Sequence, residues 1–306
     1  MNGLAGLDWI AADWGTTNLR VWALDAAGRV LARAESADGM SSLDRDGYEP
    51  ALLALVRPWL PKTGRLPVIA CGMVGSRQGW IEAPYAAVPC AAQTPGRMVT
   101  PVLGDRRLVV HVIPGLKQEN PADVMRGEET QIAGFLSVKP AFDGAICLPG
   151  THSKWVRVSA GEVVSFQTYM TGELFALLSQ KSVLRHGMIG DGWDEAAFAE
   201  GLETAIARPE RMAARLFTLR AEGLLKGLSP AAARARLSGL LIGVELAAAR
   251  PYWLGQNVAI VGAPAIGHAY QRALAAQGLQ ATLSDVEAMT LAGLAAARAT
   301  LIARVA

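Results

Sequence analysis

The chain opens on apolar runs separated by polar turns. Residues 8–14 are mostly apolar, 19–25 are rich in Val, Leu and Trp, and 29–35 alternate, which predicts three strands. The tight Ala-Ala-Gly turn at 26–28 joins the second and third into a hairpin. Residues 50–60 carry apolar side chains at helical spacing. Residues 67–71 and 108–113 predict short buried strands, the first ending at Gly72 and the second stopped by Pro114 and Gly115. Residues 123–136 predict a helix, or a loop that opens one, with Ile132, Phe135 and Leu136 on one face.

The pattern then restarts. Residues 145–148, 154–158 and 162–167 predict strands, with a Ser-Ala-Gly turn at 159–161. Helices are expected at 195–207, 210–220 and 230–249, a buried strand at 258–261, a helix at 265–277, a strand at 280–283 and a final helix at 286–303. Gly15-Thr16 and Gly150-Thr151 fall at the same place in the two copies, 135 residues apart. Each follows an apolar strand. Each is followed by a second strand, a small-residue turn and a third strand.

Length agrees with this duplication. The 306 residues are twice the roughly 150 of one typical domain. Hydrophobic residues make up 51% and charged residues 18%, enough apolar material for two cores and too much for a disordered chain. The net charge is +2, with both signs interspersed. No basic tail or stripe points to nucleic acid or to a membrane surface, so neither partner is expected. Cys71, Cys90 and Cys147 form no paired motif, and the N-terminus lacks a basic leader region, so a cytoplasmic location is expected. Residues 251–271 contain no Asp, Glu, Lys or Arg, yet two prolines and three glycines interrupt them. That suits strand–loop–helix better than a membrane span.

The chemistry begins at the repeated turn. A Gly-Thr hairpin exposes backbone N–H groups and hydroxyls, donors that phosphate oxygens accept. In DWGTTNLR, Gly15, Thr16 and Thr17 form such a tip. Asp13 ends the preceding strand, where a carboxylate can hold Mg²⁺ directly or through water. Arg20 lies early in the next strand, within reach of a phosphate. Gly150 and Thr151 form the second turn. In VAIVGAPAIG, at 258–267, a strand runs into Gly262 and a small-residue loop against which a base or ribose can pack.

Together these residues resemble the sugar-kinase branch of the actin-like ATPase superfamily. The resemblance implies an α/β fold of two ribonuclease H-like domains with an interdomain cleft, ATP as donor and Mg²⁺ as its metal. Domains are expected at 1–137 and 138–306, with the helix 286–303 packing back toward the interdomain region. Asp13–Thr17 match the first phosphate motif, Gly150-Thr151 the second, and 258–262 the adenosine motif. A closer resemblance is to the 2-dehydro-3-deoxygalactonokinase family. It rests on GMVGS at 72–76, GW at 79–80, APY at 83–85, VMRGEETQ at 124–131, PGTHSKW at 149–155, MTGEL at 170–174 and SGLLIG at 238–243. The family implies phosphorylation of 2-dehydro-3-deoxy-D-galactonate at its C6 hydroxyl, in galactonate breakdown. One departure stands out. Leu148-Pro149 replaces the Asp that many superfamily members carry before the second turn, which leaves Asp13, water and the nucleotide to hold the metal.

A keto-acid substrate needs a cation for its carboxylate. Arg126 is the first candidate, Lys154 the second and Arg77 a third. Trp80 and Tyr85 are candidates for the pocket wall. Of His111, His152, His186 and His268, only His152 adjoins a phosphate turn, and the four have no metal-ligand spacing. Glu128 is the expected base. It follows Gly127, lies 22 residues before Gly150, and stands in register with the Gly-Asp base segment of related sugar kinases. Glu129 is the alternative. Two other readings stay open: a kinase for another 2-keto-3-deoxy acid or a plain sugar, and a non-catalytic sugar sensor of the same fold. A homodimer is also left open.

Overall fold

The computed structural model describes residues 3–305. In chain order the first elements are β1 (Trp9–Trp14), β2 (Leu19–Leu24), β3 (Val30–Ser36), α1 (Tyr48–Val56), β4 (Leu66–Gly72), β5 (Ala86–Ala87), β6 (Cys90–Ala91), β7 (Leu108–Val112), β8 (Leu116–Glu119), β9 (Ala122–Met125) and α2 (Glu128–Val138). There follow β10 (Gly144–Leu148), β11 (Ser153–Ser159), β12 (Glu162–Tyr169), α3 (Thr171–Gln180), α4 (Glu195–Ala207), α5 (Met212–Leu225), α6 (Pro230–Ala248), α7 (Arg250–Trp253), β13 (Val258–Gly262), α8 (Pro264–Ala275), β14 (Thr282–Asp285) and α9 (Val286–Val305).

The first sheet runs β3-β2-β1-β4-β7, and the second contains the run β12-β11-β10-β13-β14. These are the same order, three hairpin-linked strands followed by two more. In each sheet the central strand pairs antiparallel with its hairpin neighbour and parallel with the strand that arrives later. The repeat read from the Gly-Thr turns is therefore a repeat of sheet topology. Parallel pairing needs a crossover, and here each crossover passes through helical segments.

Two compact units result. One comprises Met1–Phe142, Ser159–Ser165 and Val286–Ala306, the other Asp143–Val158 and Phe166–Asp285. The break thus falls at 142/143 rather than the expected 137/138. Phe142 packs edge-on against Phe135 at 4.9 Å, which ties the segment after α2 to the first unit. The last helix also belongs to the first unit. Leu294 and Ala297 of α9 are buried with Trp9, Ala11 and Ile69, on one face of the first sheet. Its other face packs against α1 through Ile10, Val21, Val68, Tyr48 and Leu52. The second unit's core lies between β10, β13 and helices α4, α6 and α8, with Cys147, Ile260, Phe198, Ile242 and Tyr270 buried together.

Several local expectations shift. Pro58 ends the helix expected over 50–60, so α1 stops at Val56 and a 3-10 turn covers Arg57–Trp59. The stretch 123–136 divides into β9 and α2. The strand expected at 280–283 is β14. Helix α3 is not among the expected elements; its apolar residues Phe175 and Leu178 are only partly buried against a core cluster, and Thr171 is its one fully buried residue. Residues 251–271 carry the expected strand (β13) and helix (α8), but begin in the short helix α7 rather than in a strand. Among the described residues one helix, Val286–Ala303, is long and apolar enough by length and composition to cross a membrane. Cys71, Cys90 and Cys147 are free thiols.

Candidate active site

In the first unit, register builds the site. Asp13 and Arg20 lie directly opposite on the β1–β2 pair, and their side chains form an ion pair at 2.5 Å. The Arg20 guanidinium also lies 5.7 Å over the Trp22 ring. Between the strands, Gly15 N–H donates to Asn18 O at 2.9 Å. Met40 N–H donates to Gly15 O and Ser41 N–H to Thr16 O, so the segment after β3 braces the turn from behind. Thr16 and Thr17 stay exposed.

The parallel neighbour β4 sets Cys71 beside Asp13 and Gly72 beside Trp14. The Cys71 thiol is pushed up by burial, then by the charges of Asp13 and Glu129. Gly72 has φ +89°, and a side chain there would meet the Trp14 carbonyl at 2.5 Å. Gly127, with φ +108°, lies against Gly72; a Cβ on it would stand 3.5 Å from the Gly72 Cα. The start of α2 is thereby brought to the same strand ends as Asp13.

Two carboxylates fold back over this turn. Glu128 Oε2 accepts from Arg126 N–H at 3.1 Å, and Glu129 Oε2 accepts from Gly127 N–H at 2.6 Å. Thr130 Oγ1 donates to Glu129 Oε1 at 3.0 Å. Acidic groups suit a helix N-terminus, where N–H groups lack intrahelical partners. The two differ in environment. Glu128 is half-buried; Glu129 has no exposed surface. Burial, and then the neighbouring Glu128 charge, push the Glu129 carboxyl up to about 8.

Arg126 points the other way. Nη2 donates to Ala83 O at 2.8 Å, and the guanidinium lies 4.3 Å over the Tyr85 ring. Its Nε and Nη1 are buried without a hydrogen-bond partner, and among the described residues no carboxylate reaches ion-pair distance of it. Arg77 is exposed. Trp80 belongs to the core: it stacks on Tyr48 and meets Trp14 edge-on, both at 6.1 Å. Lys154 is buried in β11, opposite Leu148.

In the second unit, Gly150 and Thr151 are exposed at the turn between β10 and β11. The start of α3 braces them, since Glu173 N–H donates to Thr151 O at 2.9 Å. The exposed His152 has Nε2 2.6 Å from Glu173 Oε2. Pro149, at the position of the missing Asp, packs against Gly262; a Cβ on Gly262 would lie 2.9 Å from Pro149 Cγ. Beside the turn lies a cavity of about 500 Å³ reaching to α8. Phe175, Trp193, Ile242 and Ile266 give it a largely apolar wall, and Gly150 forms part of its lining. Such walls suit a flat base. Sequence reasoning missed these four residues. The signal lay in MTGEL, which opens α3 just before Phe175, and in SGLLIG, which lies within α6 and contains Ile242.

Among the described residues no three His, Cys, Asp or Glu side chains form a metal cluster. Mg²⁺ commonly uses one or two carboxylates with phosphate oxygens and water, and Asp13 is a carboxylate of that kind.

A protein-family model described as 2-keto-3-deoxy-galactonokinase matches residues 13–297. The chain belongs to that family. It is thereby a carbohydrate kinase. The 2-keto-3-deoxy-galactonokinase match is supported by a Rhizobium meliloti (strain 1021) protein named "Probable 2-dehydro-3-deoxygalactonokinase DgoK1", 40% identical over 299 residues, covering 94% of this chain and 96% of the relative. The Escherichia coli (strain K12) 2-dehydro-3-deoxygalactonokinase is 35% identical over 277 residues, covering 90% and 91%. A crystal structure from Sinorhizobium meliloti, which bears the same kinase name provisionally, superposes with a TM-score of 0.87 at 38% identity, covering 96% of each chain.

Proposed function

We propose that the chain transfers the γ-phosphoryl group of ATP to the C6 hydroxyl of 2-dehydro-3-deoxy-D-galactonate, giving the 6-phosphate and ADP in galactonate breakdown in the cytoplasm. The matching strand orders support reading the units as two ribonuclease H-like domains of the actin-like ATPase kind. The nucleotide base takes the apolar cavity of the second unit, and its phosphates take the donors of Gly150-Thr151. The first unit's Gly15-Thr16-Thr17 turn and Arg20 are assigned to phosphate oxygens. Asp13 would hold Mg²⁺ through its water shell, and the bound cation offsets charge on the transferring group.

Glu128 is the assigned base. It accepts the C6 proton as oxygen attacks phosphorus and the bridging P–O bond to ADP breaks. Its partial exposure allows substrate contact, whereas Glu129 is sealed behind it and keeps its proton at neutral pH. The observation that carries the acid-substrate reading is Arg126. A buried guanidinium with two unpaired nitrogens is costly, and an incoming carboxylate would compensate it. Lys154, His152 and Trp80 are weaker substrate contacts on this reading, being respectively buried in β11, engaged by Glu173 and packed in the core.

A coupled ADP-release assay over a panel of 2-keto-3-deoxy sugar acids, with free sugars as controls, tests the proposal. Turnover is expected with the acids alone. Arg126→Ala should raise KM for the acid about tenfold or more while KM for ATP stays near wild type. Equal turnover of free sugars would overturn the acid reading.

A further inference from the structure

Glu245 is a buried carboxylate that none of the steps above employs. It lies within α6, 2% exposed, in the core of the second unit. Trp155 Nε1 donates to its Oε1 at 2.8 Å, and Tyr270 OH donates to Oε2 at 2.6 Å. Thr171 Oγ1 donates to the same oxygen. Ser153 Oγ and Tyr270 OH lie 2.9 Å apart, which extends the network to the first residue of β11. Burial pushes the Glu245 carboxyl up, while hydrogen bonds from Thr171, Tyr270, Trp155 and Ser153 pull it down.

A buried charge among neutral donors is an expensive way to fill a core, and an apolar side chain of similar volume is often as stable. What the carboxylate supplies is fixed spacing. Its partners are the residues that shape the nucleotide end of the unit. Thr171 opens α3, and the next residue, Gly172, is pressed against the phosphate turn; a Cβ there would stand 2.9 Å from the Thr151 Cα. Ser153 is the first residue of β11 after that turn. Tyr270 and Thr171 line the cavity beside it, and Glu245 does not. One side chain therefore ties the brace of the turn, the strand leaving the turn and the cavity wall.

We propose that Glu245 is a positioning residue for the nucleotide, holding the Gly150-Thr151 turn and the base cavity at one spacing. The proposal rests on the assignment of that cavity to ATP. Loss of the carboxylate leaves hydroxyls and an indole N–H searching for partners and lets α3 drift from the turn.

Calorimetric titration of the full chain with a non-hydrolysable ATP analogue tests this without catalysis. Glu245→Ala should weaken binding about tenfold or more, and Ser153→Ala by a smaller factor. KM for the sugar acid should stay within about twofold in both. Glu245→Gln should recover most of the affinity, because the amide oxygen still accepts from Trp155 and the hydroxyls can reverse toward the amide N–H. Should Glu245→Ala not fold, Ser153→Ala and Glu245→Gln still decide: Ser153→Ala must weaken binding more than Glu245→Gln does. Folded variants that melt lower yet bind with wild-type affinity overturn the proposal and leave Glu245 a packing residue. A wild-type chain that binds no ATP analogue overturns the nucleotide assignment and this inference with it.

Discussion

Glu128 and Glu129 adjoin in sequence, yet one helical step separates a half-buried carboxylate from one with no exposed surface. The exposed member can meet a substrate hydroxyl; the sealed member shapes the turn. Glu128→Gln keeps the shape and removes the proposed base, so kcat should fall at least roughly 10²-fold while affinity for ATP is unchanged. Near-wild-type turnover in a coupled assay would move the base elsewhere. Glu129 answers to a different measurement. Its carboxyl sits at about 8 in the fold against an ordinary 4.5, chiefly through burial. Between those values the folded chain holds a proton that the unfolded chain has lost. Its contribution to stability is thus complete below pH 4.5 and is lost as pH rises through about 8. Urea midpoints of the wild type should therefore fall relative to those of Glu129→Gln between pH 5 and pH 8, the Glu-to-Gln change removing the titration. Parallel curves would mean that Glu129 titrates in the usual carboxylate range.

At the scale of elements, the position of both carboxylates depends on α2, and α2 is placed by α9. Gly134 and Gly293 let the two helices touch backbone to backbone: a Cβ on Gly134 would collide with the Met289 carbonyl, and one on Gly293 with the Thr130 carbonyl. Thr130 is itself a partner of Glu129, so the helix contact lies one residue from the site. This packing also accounts for the long apolar α9, whose inward residues join the core with β1 and β4. Gly134→Ala should force the helices apart and cost about 1–3 kcal/mol, as overpacking does. Chemical denaturation would measure it, and kcat should drop with little change in KM for ATP. An unaltered midpoint would show that α9 yields without cost.

At the scale of the whole molecule, the two units share one strand order but carry different chemistry. The first holds Asp13, Arg20, Glu128 and Arg126, whose Nε and Nη1 lack partners; the second holds the apolar cavity and the braced Gly150-Thr151 turn. The same Gly-Thr turn occurs in both units, in different side-chain surroundings. Hydrogen exchange can read this division. A non-hydrolysable ATP analogue should slow exchange first at the starts of α3 and α8. The sugar acid alone should protect residues 126–130 and the 73–85 loop that Arg126 anchors through Ala83. Protection of the first unit's loop by nucleotide alone, with the second unit unaffected, would reverse the assignment.

Local sequence was enough for the β2–β3 hairpin, the repeated Gly-Thr turns and the short buried strands. These follow from local rules, alternation and turn chemistry. It also marked Glu128 and Arg126 as candidates through their place beside Gly127. Folding was needed to set Asp13 against Arg20, to leave Glu128 reachable and Glu129 sealed, to lay the Arg126 guanidinium over Tyr85, and to join α9 to the first unit. The same holds for α3, whose Phe175 and Leu178 are only partly buried, and for Glu245, whose partners Tyr270, Thr171 and Trp155 stand 25, 74 and 90 residues away. Burial of a polar group is a property of the elements that close over it. Those elements come from distant parts of the chain, and no local period records them.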